Sequence, residues 1–122
     1  MAKILIVDDS GLSRRTLRRI LETAGHEVIE AEDGIVALER YFLEKPDLVL
    51  LDLVMTGMYG IEVLTKLREM DARAQVIVAS ADIQSSSHEL AREAGAAAYI
   101  DKPFVPDKVI QVVNHTLAKG AA

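Results

Sequence analysis

Short apolar runs recur along the chain, each bounded by polar or turn-forming residues. They are Ile4–Val7, Leu48–Leu51, Val76–Ala79 and Ala96–Ile100, with a weaker one at Val28–Ile29. Unbroken apolar runs of this length suit strands covered on both faces, as in a parallel sheet. Between them the spacing turns helical. Leu12, Thr16, Leu17, Ile20 and Leu21 are expected on one face of a first helix, which Gly25 ends. Ile35, Val36, Leu38, Tyr41 and Phe42 belong to a second, with Pro46 just past its end. Ile61, Leu64 and Leu67 mark a third. Ser86, with Glu89 three residues on, reads as a capping box for a fourth helix that stops at Gly95. Pro106 suits the first turn of a fifth, along which lie Val109, Ile110, Val112, Val113 and Leu117. Strand then helix, five times over, demands crossover connections. The fold expected is therefore α/β, a parallel sheet with helices on both faces. A chain of 122 residues fits one domain, residues 1–122.

In such sheets the binding crevice lies beyond the carboxyl ends of the strands. The residues that matter are then those just after each apolar run. Asp8 and Asp9 follow the first, Asp52 follows Leu48–Leu51, Ser80 follows Val76–Ala79, and Asp101-Lys102-Pro103 follow the last. Three carboxylates, a hydroxyl and an ammonium are expected to share one rim. Carboxylates held close repel one another unless a cation sits among them. Oxygen donors alone favour a hard ion such as Mg²⁺. Lys102 offers a point charge and Ser80 a hydroxyl for the oxygens of a phosphoryl group. One carboxylate can itself attack phosphorus and become an aspartyl phosphate.

Composition narrows the classes further. No cysteine is present, which excludes disulfides and thiolate metal sites. Lys and Arg number 14 against 19 Asp and Glu, a formal charge of −5 that argues against a nucleic-acid-coating surface. The opening run, Ile4–Val7, is too short for a signal peptide or a membrane span. A soluble cytoplasmic protein without membrane insertion is expected.

The ordered set Ile4-Leu5-Ile6-Val7-Asp8-Asp9-Ser10, Leu50-Leu51-Asp52-Leu53-Val54-Met55, Ser80-Ala81 and Tyr99-Ile100-Asp101-Lys102-Pro103-Phe104 resembles the receiver domain of two-component response regulators, of the single-domain CheY-like kind. The likeness runs from Lys3 to about Leu117. It implies a flavodoxin-like sheet of five parallel strands in the order 2-1-3-4-5. It also implies Asp52 as phosphoacceptor, with Mg²⁺ (or Mn²⁺) held by Asp9 directly, by Asp8 mainly through water, by Asp52 and by the Val54 carbonyl. Lys102, before a cis Pro103, would meet the phosphoryl group. Ser80 would move to bond it, and Tyr99 would swing inward as space opens. Such a domain is no enzyme beyond its own phosphorylation and dephosphorylation. Its implied partners are a sensor histidine kinase or histidine phosphotransfer protein and a downstream effector, reached through the face of the fourth helix, fifth strand and fifth helix. A monomer or a weak phosphorylation-dependent dimer is expected. No effector module is expected after Leu117, so output is expected through protein contact.

Two positions depart from the family pattern: Thr56 stands where Pro is usual, and Tyr59 where Asp is usual. The first loosens the loop after Asp52 and the second removes a helix cap. Asp82 and Val54 are placed beside the expected water path. Arg14, Arg15, Arg18 and Arg19 make a basic stripe, read as a solvated face or as a dock for an acidic phosphodonor surface. His26, His88 and His115 read as surface histidines. The alternative function is a phosphorylation-independent docking or oligomerisation module. A nucleotide-binding enzyme is disfavoured because Asp8-Asp9 would repel phosphate and no Walker-type loop exists. An aspartate-nucleophile phosphatase is disfavoured because Asp52-Leu53-Val54 has no second Asp two residues on.

Overall fold

The computed structural model describes residues 2–55, 59–81 and 85–120, the side chains of 85–87 excepted. Strands β1 (Lys3–Val7), β2 (Glu27–Ala31), β3 (Leu48–Leu51), β4 (Val76–Ser80) and β5 (Ala98–Asp101) alternate with helices α1 (Gly11–Thr23), α2 (Gly34–Glu44), α3 (Gly60–Met70), α4 (Ser85–Glu93) and α5 (Pro106–Gly120). All strand pairs are parallel, in the order β2-β1-β3-β4-β5. This is the expected order. β2 is longer than the run Val28–Ile29 suggested, because its edge position lets Glu27 and Glu30 face water or a cation while the backbone still pairs.

Alternation along the strands divides the core between two layers. Leu5, Val7, Val49, Leu51, Val76 and Val78 pack on α2, α3 and α4 through Ala37, Tyr41, Val63, Leu64, Leu67 and Ala91. Ile4, Ile6, Leu48, Leu50, Ile77 and Ala79 turn the other way, onto Leu17, Ile20 and Leu21 of α1 and Val109 and Val113 of α5. Both faces of the central strands are thus covered, which is why their sequences show no polar alternation.

The first helix corrects one expectation. Leu17, Ile20 and Leu21 are buried, but Leu12 and Thr16 are exposed. At 3.6 residues per turn those two lie about 100–140° around the helix from Leu17, off the buried stripe. Helix ends follow local chemistry. Ser10 and Asp33 cap α1 and α2 by accepting the N–H of Ser13 and of Val36. Gly25 and Gly95, after α1 and α4, take positive φ values of 91° and 105° that a side chain would strain. The bond from Lys102 to Pro103 is cis. The capping box proposed at Ser86 lies outside the described side chains, as Thr56 and Asp82 lie outside the described residues.

Candidate functional site

Register brings the site together. Val7 pairs with Leu51, so Asp8 and Asp52 leave adjacent central strands side by side, and the Asp52 N–H donates to the Val7 carbonyl at 2.9 Å. Ser80 ends β4 opposite Asp101 of β5, and the Lys102 N–H donates to the Ser80 carbonyl at 3.3 Å. Asp8, Asp52 and Ser80 are buried, while Asp9 is exposed. One carboxylate oxygen from each of Asp8, Asp9 and Asp52 lies within 4.8 Å of the others.

Lys102 reaches into this group from the far end of the chain. Its Nζ donates to Asp8 Oδ2 at 2.9 Å and to Asp52 Oδ2 at 3.2 Å. The remaining carboxylate oxygens take main-chain donors: Ser10 N–H to Asp8 Oδ1 at 2.9 Å, and Val54 N–H to Asp52 Oδ1 at 3.1 Å. Burial pushes the Asp52 carboxyl above its ordinary range, against the pull of the Val54 N–H and the Lys102 charge. For Lys102 burial works the other way, yet its bond to Asp8 and the charges of Asp52 and Asp8 hold the ammonium above its usual value. Three carboxylates facing one ammonium leave the pocket anionic. An all-oxygen donor set with surplus negative charge fits a hard divalent cation.

The predicted site residues fall into two groups. Asp8, Asp9, Asp52 and Lys102 converge, Val54 joins them through its main chain, and Ser80 ends the neighbouring strand. Tyr99 stands apart: its hydroxyl donates to the His88 carbonyl of α4 at 2.6 Å. His88 is therefore no mere surface histidine. Its ring stacks on Tyr99 with centroids 4.6 Å apart and planes at 20°.

The basic stripe also resolves differently. Arg14 Nε and Arg18 Nε are both spent on Glu30 of β2, at 2.9 and 2.6 Å, and Arg14 donates a second bond to the Asp8 carbonyl at 2.6 Å. Burial opposes ionisation of Glu30, but its bonds from Arg18 and Arg14 hold the carboxyl below its usual value. Arg15 and Arg19 remain exposed on the next face. Gly60 was missed by pattern reading. A Cβ there would lie 2.4 Å from Leu53 Cα and 2.7 Å from the Asp52 carbonyl oxygen, so only glycine lets α3 start against the loop that leaves Asp52. Tyr59 occupies the N-cap of α3 and makes no side-chain capping bond.

Comparison with known proteins agrees with this geometry. The family model described as "Response regulator receiver domain" matches residues 4–114. Chemotaxis protein CheY of Bacillus subtilis is 43% identical over 116 residues, 94% of this chain and 97% of its own. Protein PilH of Pseudomonas aeruginosa is 41% identical over 123 residues, 97% of this chain and 99% of its own. Among solved structures, a CheY-like receiver domain protein of Methanospirillum hungatei superposes with a TM-score of 0.94 at 28% identity, covering 99% of this chain and 97% of that one.

Proposed function

The chain belongs to the response regulator receiver domain family, and from that premise we propose that it accepts a phosphoryl group on Asp52 and relays the change to a partner protein. The observation that carries the reading is Lys102 bridging two buried carboxylates from neighbouring strand ends, with Asp9 beside them. A docking module that ignores phosphate has no use for this arrangement, whose burial is costly unless every charge is paired.

The carboxylates of Asp8, Asp9 and Asp52 and the carbonyl of Val54 would hold Mg²⁺ or Mn²⁺. When bound, the ion supplies charge neutralisation for the carboxylates and for the oxygens of the incoming phosphoryl group. A carboxylate oxygen of Asp52 attacks phosphorus while the bond from phosphorus to the donor's imidazole nitrogen breaks. The imidazole leaves with that electron pair and takes a proton from solvent. Lys102, already hydrogen-bonded to Asp52, exchanges that carboxylate oxygen for a phosphoryl oxygen and stays charged throughout. Ser80 donates its hydroxyl to another phosphoryl oxygen, and Tyr99 then leaves α4 for the space Ser80 vacates. Hydrolysis of the aspartyl phosphate resets the site, and the chain turns over no other substrate.

Output follows from where Tyr99 sits. It borders a groove of about 570 Å³ between β5 and α5, also lined by Lys108, Gln111, His115 and Lys119. Its movement therefore reshapes the face of α4, β5 and α5 that an effector would read. The donor is a histidine kinase or phosphotransfer protein, and chain 1–122 acts in the cytoplasm as one receiver unit, as a monomer or a weak phosphorylation-dependent dimer. No described helix is long and apolar enough to cross a membrane. Borohydride reduction of the phosphorylated protein, followed by peptide mapping, is expected to place homoserine at position 52. Modification at any other aspartate would overturn the assignment.

A further inference from the structure

We propose that His88 is the positioning residue that holds Tyr99 in its resting place, so that the contact between α4 and β5 sets how readily the switch side chain turns. The inference rests on the reading of Tyr99 as the moving element given above. One residue holds that ring in two ways: the imidazole covers its face at 4.6 Å, and the His88 carbonyl takes its hydroxyl proton at 2.6 Å. Both contacts must break before the hydroxyl can travel toward Ser80.

The two contacts differ in what they ask of the sequence. Any residue at position 88 offers the carbonyl, but only a flat ring offers the stack. A stacked aromatic pair shifts a two-state balance about two- to tenfold beyond what burial alone gives. His88 is partly buried on the first half of α4, next to Glu89 and Leu90, which are exposed. The side chain at 88 thus adjusts the resting population of Tyr99 without touching the acidic pocket. It sets the threshold of the switch, not its chemistry.

The test compares wild type, His88→Ala and His88→Phe without phosphodonor, reading the χ1 rotamer populations of Tyr99 from three-bond NMR couplings, which ring currents do not disturb. Wild type treated with a small acyl phosphate and Mg²⁺ supplies the direction of the switched state. His88→Ala is expected to populate that rotamer about two- to tenfold more at rest, whereas His88→Phe, which keeps a ring, stays near wild type. Unchanged resting populations in His88→Ala would overturn the inference while leaving Tyr99 as the switch. A wild-type Tyr99 whose rotamer ignores phosphorylation would instead remove the switch reading, and this inference with it.

Discussion

Gly60→Ala sets two physical effects against each other with opposite signs. Gly60 opens α3 with ordinary helical geometry, so propensity alone predicts that alanine stabilises the helix by up to about 1 kcal/mol. Space predicts the reverse. The added Cβ would meet Leu53 Cα at 2.4 Å and the Asp52 carbonyl oxygen at 2.7 Å, where carbon atoms rest about 3.5 Å or more apart. Both neighbours are backbone, so no side chain can rotate away, and the helix start must lift by about 1 Å. Such overpacking costs about 1–3 kcal/mol. Lifting also stretches the bond from the Gly60 N–H to the Leu53 carbonyl, now 3.1 Å, at a cost of about 1 kcal/mol. The net expectation is a loss of about 2 kcal/mol, or roughly 8 °C in Tm at this chain length. Urea unfolding followed by circular dichroism should show a lower midpoint with an unchanged slope. The same lift displaces the chain leaving Asp52, so phosphorylation by a small acyl phosphate should slow by about tenfold or more. A variant as stable as wild type, or more so, would refute the steric argument.

Three further outcomes follow from the site and its surroundings. Burial raises the Asp52 carboxyl in the fold, so the native state binds more protons than the unfolded chain at any pH between the ordinary value of 3.8 and the raised one. Stability therefore falls as pH rises through that window, and the cost is fully present only above the raised value. Asp52→Asn should raise Tm at pH 7, with the difference shrinking as pH falls through that window and gone once pH is below 3.8; a destabilised variant at pH 7 would contradict the sign. Tyr59→Asp supplies the missing cap of α3 and should add about 1 kcal/mol, measured by the same urea titration. Arg15→Glu with Arg19→Glu should slow phosphotransfer from a phosphohistidine protein while sparing a small acyl phosphate, because Arg14 and Arg18 are already held by Glu30. Equal slowing with both donors would remove α1 as a docking face.

The strands were legible because β1, β3 and β4 are covered on both faces and so carry unbroken apolar runs. The rim was legible for a related reason: a polar residue directly after such a run has nowhere to go but the strand end, which located Asp8, Asp52, Ser80 and Lys102. What sequence did not disclose depended on approach distance and orientation. Gly60 looks like any loop glycine until the backbone of Leu53 is placed against it. His88 looks like a surface histidine until α4 lays it on Tyr99. The four arginines of α1 look alike, yet helical rotation gives Arg14 and Arg18 to Glu30 and leaves Arg15 and Arg19 outside.

Intact-mass spectrometry after incubation with a small acyl phosphate, with and without Mg²⁺, tests the central claim most directly, with Asp52→Asn alongside. The account predicts a single phosphoryl adduct that forms only with the ion and is lost in the variant. A folded wild-type protein that gains no adduct, or an Asp52→Asn protein that still gains one, would contradict it.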